Sequence, residues 1–243
     1  MKQIFQDLRN GNIEIEDVPV PNTLKGHLLI STTKTLVSAG TEKMLIDFGK
    51  ANFINKARKQ PSKLKDSLEK IKIDGPLYVY EAIKNKLEEP LELGYCNVGI
   101  VEGIGEGVNG FKLGDRVISN GPHAEFVCVP QNLCTLIPEE VSDEDAVFTV
   151  ISSIGLQGIR LAKPTLGETF LVSGLGLIGL LTGQILLAQG CKVLGIDPDL
   201  SRCKLAESFG IKTSKGLDIN RHVDWLFEET INLGLDGAII TAS

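Results

Sequence analysis

Six residues, Gly174-Leu175-Gly176-Leu177-Ile178-Gly179, stand directly behind the apolar run Phe170-Leu171-Val172 and open a helical pattern near Leu177. Glycines at that spacing let a chain leave a buried strand, turn tightly and enter a helix packed close against that strand. The sequence that follows repeats the same unit. Lys192–Ile196 reads as a strand, Leu200–Phe209 as a helix, the stretch near Ile211 as a short strand, Arg221–Leu233 as a helix and Gly237–Thr241 as an apolar strand. Alternation of this kind predicts a parallel sheet flanked by helices, hence an α/β fold.

A Gly-x-Gly-x-x-Gly string gains meaning from such a setting, where it is the fingerprint of a dinucleotide site. Gly174 permits the turn, Gly176 lets a pyrophosphate approach the backbone, and Gly179 brings the helix close to the strand. The pyrophosphate rests on the free N–H groups and positive end of the helix. Gly174, Leu175, Gly176, Leu177, Ile178 and Gly179 are therefore the expected cofactor contacts. Asp197 ends the second strand, 18 residues after Gly179. An acid there hydrogen-bonds the adenosine ribose hydroxyls and repels a 2′-phosphate, which favours NAD over NADP. Arg202 is near enough to accommodate a phosphate, and Thr241, closing the fourth strand, completes the cofactor set. The alternative is a glycine turn of another α/β protein, with Asp197 only capping the next helix.

The first part of the chain has a different character. Residues 1–42 read as β structure: two short strands flank Asn10-Gly11-Asn12, an Asn-Gly pair suited to a hairpin, and His27–Val37 is rich in β-branched residues. From about Lys43 to Pro90 three helices are predicted, Met44–Arg58, Pro61–Ile73 and Leu77–Leu87, in an insertion holding 11 of the 25 lysines and arginines. That insertion reads as a solvated helical face or as a surface for a partner. Strand character returns at Leu91. The glycine-dense stretch Gly94–Val117 and the strand Phe126–Pro130 suggest a small barrel. Asp143–Leu161 reads as one connecting helix with Ser142 as its N-cap. The expected organisation is thus a β-barrel domain over residues 1–141 and a dinucleotide-binding domain over 142–243. The latter has four of the roughly six strands of a full doubly wound fold, so the chain is expected to be incomplete.

Several classes of function are disfavoured. A net charge of −6 is wrong for general nucleic-acid binding, which requires a basic surface. No apolar run approaches the roughly 20 residues of a membrane span. Met1 leads straight into strand-like sequence without a signal peptide, so a cytoplasmic protein is expected. The five cysteines, Cys96, Cys128, Cys134, Cys191 and Cys203, show no disulfide or Cys-x-x-Cys pattern and read as packed thiols.

A glycine-rich β domain ahead of a dinucleotide fold resembles the medium-chain dehydrogenase/reductase superfamily of the zinc alcohol dehydrogenase type, with its GroES-like barrel and Rossmann domain. The resemblance is carried by Glu14–Pro21, by Ala39-Gly40-Thr41-Glu42, by Val101–Val117 and by the glycine turn. The metal ligands are not matched. Ala39 stands where the family has its first zinc cysteine, Tyr95 where it has a histidine, and Thr149–Ser153 offers no third ligand. Four closely spaced cysteines of a structural zinc lobe are also missing, so a protein without zinc is expected. Ser38–Glu42, the insertion, Leu93–Asn97 and Ser119–Glu125 look closer still to the bi-domain oxidoreductases of surface-polysaccharide and sugar modification. That resemblance implies a second module of the Gfo/Idh/MocA type following this one in a longer protein.

Without zinc, hydrogen-bond donors would have to polarise a substrate carbonyl. The resemblance puts Tyr95 and Thr41 in that role, Tyr95 first, and His123 is a candidate general acid or base because an imidazole titrates near neutral pH. Each has a plainer alternative: Tyr95 packed in the barrel, Thr41 capping a helix, His123 in a loop. Three functions remain open at this level. The first is a zinc-independent NAD-linked oxidoreductase acting on a hydroxyl or carbonyl, of a sugar or nucleotide-sugar, alone or as a homo-oligomer. The second is a quinone or enone reductase using NADPH, and the third a catalytically silent cofactor-binding module that supports a following domain.

Overall fold

The computed structural model describes residues 1–8, 10–50, 89–216 and 218–242. The chain divides into two compact units, Met1–Phe148 and Thr149–Ser243.

The first unit is antiparallel. Strands β1 (Lys2–Gln6) and β2 (Ile13–Asp17) form the expected hairpin, with Gly11 at φ +76° in the loop, and β4 (Leu91–Glu92) pairs on the other side of β1. The larger sheet has the order β7-β3-β5-β6-β8. Its strands are β3 (His27–Thr35), β5 (Asn97–Ile104), β6 (Arg116–Ser119), β7 (Phe126–Pro130) and β8 (Cys134–Leu136). Register shifts between Leu29 and Ile30 and between Thr32 and Lys34 put bulges into the β3–β5 ladder, the device that curls such sheets. Leu28, Ile30, Val101, Val117, Val127 and Val129 fill one face, following the period of two in their strands.

Helix α1 (Ala39–Lys50) begins five residues ahead of the expected Met44. Apolar periodicity starts at Met44, but the helix is opened further upstream by polar groups at Ser38. The rest of the predicted Met44–Arg58 helix, and Pro61–Ile73 and Leu77–Leu87, lie outside the described residues. The single helix expected over Asp143–Leu161 is two: α2 (Asp143–Ala146) and α3 (Thr149–Ala162). Ser142 does cap α2, its hydroxyl oxygen accepting from the Asp145 N–H. Asp143 ties α2 to the large sheet, accepting from Thr33 Oγ1 at 2.7 Å and from Arg116 Nη2 at 2.6 Å.

The second unit is an α/β layer structure. Strands β9 (Thr169–Ser173), β10 (Lys192–Asp197), β11 (Lys212–Lys215) and β12 (Gly237–Ile240) form a wholly parallel sheet in the order β11-β10-β9-β12. Helices α4 (Leu177–Ala188), α5 (Leu200–Ser208) and α6 (Ile219–Glu229) connect them in turn. Phe170, Val172, Leu175, Leu186, Val193 and Ile211 make the core. The strand order runs outward from β9 on one side, then returns to pair β12 on the other. In such sheets the crevice at the point of reversal, beyond the carboxyl ends of the strands, is where ligands bind.

Candidate functional site

At that reversal point the glycine turn divides into a supporting half and an open half. Gly174 takes φ +93°, and a Cβ there would lie 2.7 Å from the Ala242 nitrogen after β12. A Cβ on Gly179 would lie 1.9 Å from the Gly174 carbonyl oxygen, so only glycine lets α4 start this close to β9. Leu175 is fully buried in the core, and its N–H donates to Asp197 Oδ2 at 2.7 Å. Its expected role as a cofactor contact is corrected accordingly: side chain and amide are both committed to the protein. Gly176, Leu177 and Ile178 are partly exposed, and among the described residues only the Arg202 guanidinium, at 3.9 Å, comes near the space above Gly176. Gly176 caps α4 without a side chain, and no acidic residue sits in the first turn. The helix thus presents uncapped N–H groups and its positive end, the setting an anion favours.

Asp197 is 4% exposed and accepts from two backbone amides, Leu175 N–H and Asp199 N–H at 2.8 Å. It fastens the glycine turn to the end of β10, a duty that sequence position alone did not suggest. Arg202 Nη1 stands 3.6 Å from Asp197 Oδ2, with the side chain half exposed. Asp199 caps α5 through the Ser201 N–H, and its carboxyl is held below the usual range chiefly by hydrogen bonds from Ser201. Thr241 Oγ1 donates to the Gly174 carbonyl at 2.7 Å, tying the end of β12 to the turn. The nucleotide-binding residues expected from the sequence therefore converge in one place.

The first unit brings together its own set. Thr41 lies in the first turn of α1, where its Oγ1 accepts from Tyr95 O–H and from Ser38 O–H, each at 3.3 Å. The hydroxyls of Ser38, Thr41 and Tyr95 thus meet at the Thr41 oxygen.

His123 is not a free loop residue. It is 5% exposed, and its Nε2 lies 3.3 Å from both carboxylate oxygens of Glu42, itself 6% exposed. Glu42 Oε1 also accepts from the Ser38 N–H at the start of α1. Glu42 is the residue that sequence reasoning missed. Its only signal was Ser38 four places before it, a spacing resembling a helix-capping pair.

Burial pushes Cys134 up to about 11 and raises Cys191 and Cys203 as well. Among the described residues no three His, Cys, Asp or Glu side chains gather as metal ligands. No described helix is long and apolar enough to cross a membrane.

No family model matches the chain. Alcohol dehydrogenase of Moraxella sp. (strain TAE123) is 24% identical over 189 residues, 65% of this chain and 55% of that protein. (R,R)-butanediol dehydrogenase of Bacillus subtilis is 28% identical over 149 residues, 50% and 43% of the two chains. Rat quinone oxidoreductase is 36% identical over 108 residues, 40% and 32%. The chain spans about half the length of the first two of these relatives. Among solved structures, 2R,3R-butanediol dehydrogenase from Bacillus subtilis superposes with a TM-score of 0.74 at 22% identity, covering 98% of this chain and 70% of that one. An E. coli CFT073 alcohol dehydrogenase complexed with NADH gives 0.76 at 18% identity, covering 100% and 69%. A mycobacterial protein complexed with NADPH gives 0.68 at 24%, covering 98% and 66%. The relatives and structural neighbours are medium-chain alcohol and quinone dehydrogenases, and the fold of this chain is theirs.

Proposed function

We propose that this chain is the NAD-binding part of a zinc-independent oxidoreductase that interconverts a hydroxyl and a carbonyl on a small polyhydroxylated substrate. One observation carries the reading: the glycine turn sits at the sheet's reversal point, fastened by Asp197 and Thr241, with an uncapped helix end beyond it. Residues present here fit a dinucleotide. Amides of Gly176, Leu177 and Ile178 would hold the pyrophosphate, and Asp197 and Arg202 would flank the adenosine ribose. The cofactor, when bound, supplies or accepts the hydride.

Residues here do not fit a catalytic zinc. Ala39 has no donor atom, and Tyr95 is bonded to Thr41. The Thr41 hydroxyl, backed by Tyr95 and Ser38, donates to the substrate oxygen and stabilises the charge that grows there, as an oxyanion-hole donor does. A sugar or nucleotide-sugar suits this reading, supported by the likeness to a dehydrogenase named for a compound with adjacent hydroxyls. Reduction of a quinone or enone with NADPH is a second reading, favoured by the stretch 36% identical to rat quinone oxidoreductase. Asp197 opposes it, because a 2′-phosphate beside a carboxylate meets like charge.

Turnover of NAD⁺ with a panel of polyols tests the proposal. Thr41→Ala is expected to lower kcat by roughly 10²-fold, as loss of one oxyanion donor does, and Tyr95→Phe by less. Unchanged kcat in both variants would refute the assignment.

A further inference from the structure

Glu42 and His123 take no part in the hydroxyl arrangement, yet they form a built pair. The imidazole and its backbone are held by named contacts. Its Nε2 faces the Glu42 carboxylate, its backbone N–H donates to Leu93 O at 2.7 Å, and its carbonyl accepts from Ile4 N–H at 3.0 Å. Gly94 lies against the ring face at φ +92°, where a Cβ would come within 2.6 Å of the ring. An imidazole that faces a carboxylate through Nε2 carries its proton there, which leaves Nδ1 as a bare acceptor. Nδ1 is buried and has no hydrogen-bond partner among the described residues. Buried polar atoms in native proteins are nearly always paired, so one left over points to a ligand group. The two segments that hold this ring, the first turn of α1 and the loop before β5, are those that carry Thr41 and Tyr95.

Resting on the oxidoreductase reading above, we propose that His123 is the proton acceptor for alcohol oxidation and Glu42 its positioning residue. The substrate O–H bond breaks and its proton forms an N–H bond at Nδ1. The electron pair left on oxygen becomes the second bond of the carbonyl, and the hydrogen on carbon leaves as a hydride, which NAD⁺ as the oxidant would accept. The imidazolium so formed is stabilised by Glu42 across Nε2, the division of labour of a carboxylate–histidine pair in hydrolases. In the reductive direction Nδ1 returns the proton.

The chain has three histidines, His27, His123 and His222, so ¹⁵N-histidine labelling with His27→Asn and His222→Asn assigns the third. The expected spectrum at neutral pH has His123 protonated at Nε2 and bare at Nδ1, with Glu42→Gln giving a mixture of tautomers. A proton resident on Nδ1 in the unmodified chain would overturn the proposal. With NAD⁺ and 2,3-butanediol as probe, His123→Asn is expected to lower kcat by roughly 10²- to 10⁴-fold, the usual worth of a general base. Glu42→Gln should lower kcat less, with KM unchanged. Unaltered kcat in His123→Asn would also overturn it. Calorimetry separates the two levels: absence of NAD⁺ binding to the unmodified chain sinks the oxidoreductase reading. Intact NAD⁺ binding with the wrong tautomer sinks the base assignment alone.

Discussion

Asp197 serves the glycine turn through two backbone amides before it serves any ribose. Its carboxylate therefore has a fixed orientation, and its charge lies next to Leu175 and under the Arg202 guanidinium. Asp197→Asn keeps one acceptor oxygen and removes the charge. We expect the preference for NAD⁺ over NADP⁺ to fall by roughly tenfold, the scale of removing a like-charge conflict of about 1.4 kcal/mol, read from the two dissociation constants. Gly94 is the other telling residue. Gly94→Ala meets both a disfavoured φ and the His123 ring, so a loss of about 2 kcal/mol or more is expected in urea unfolding. The sequence made the aspartate legible because it sits at a fixed distance from the glycines. Glu42 and His123 are 81 residues apart, and only the folded first unit shows that they meet.

Among the elements, the β9–turn–α4 unit was the most readable, since each of its residues is set by local geometry. Gly179→Ala tests that geometry directly. A Cβ 1.9 Å from the Gly174 oxygen would force the helix off the strand. Loss of NAD⁺ binding together with about 2–3 kcal/mol of stability is expected. The boundary between α2 and α3 was misread because apolar residues run through it, whereas α2 is set by its polar anchors. Hydrogen bonds from Thr33 first, and then from Arg116, hold the Asp143 carboxyl below the ordinary carboxylate range. A lowered folded value means stability that is present above the unfolded pKa of about 4 and lost as pH falls through the folded value. Asp143→Asn should therefore lower the urea midpoint at pH 7, and its deficit against the unmodified chain should shrink below about pH 4. A deficit independent of pH would assign the effect to packing.

At the scale of the whole molecule, two units with different strand patterns were visible in the change from glycine-rich β sequence to strand–helix alternation. The division falls at Phe148–Thr149, a few residues beyond the composition change at Ser142, because the capped α2 belongs with the β sheet it is tied to. The family's zinc-ligand positions are mismatched in the sequence at Ala39, Tyr95 and Thr149–Ser153, and in the folded chain Tyr95 meets Thr41 through its hydroxyl. All of this depends on a dinucleotide occupying the glycine turn. Calorimetric titration of the chain with NAD⁺ and, separately, NADP⁺ measures that directly. One NAD⁺ bound per chain, at least roughly tenfold tighter than NADP⁺, is the predicted result. Binding of neither, or a preference for NADP⁺, would contradict it.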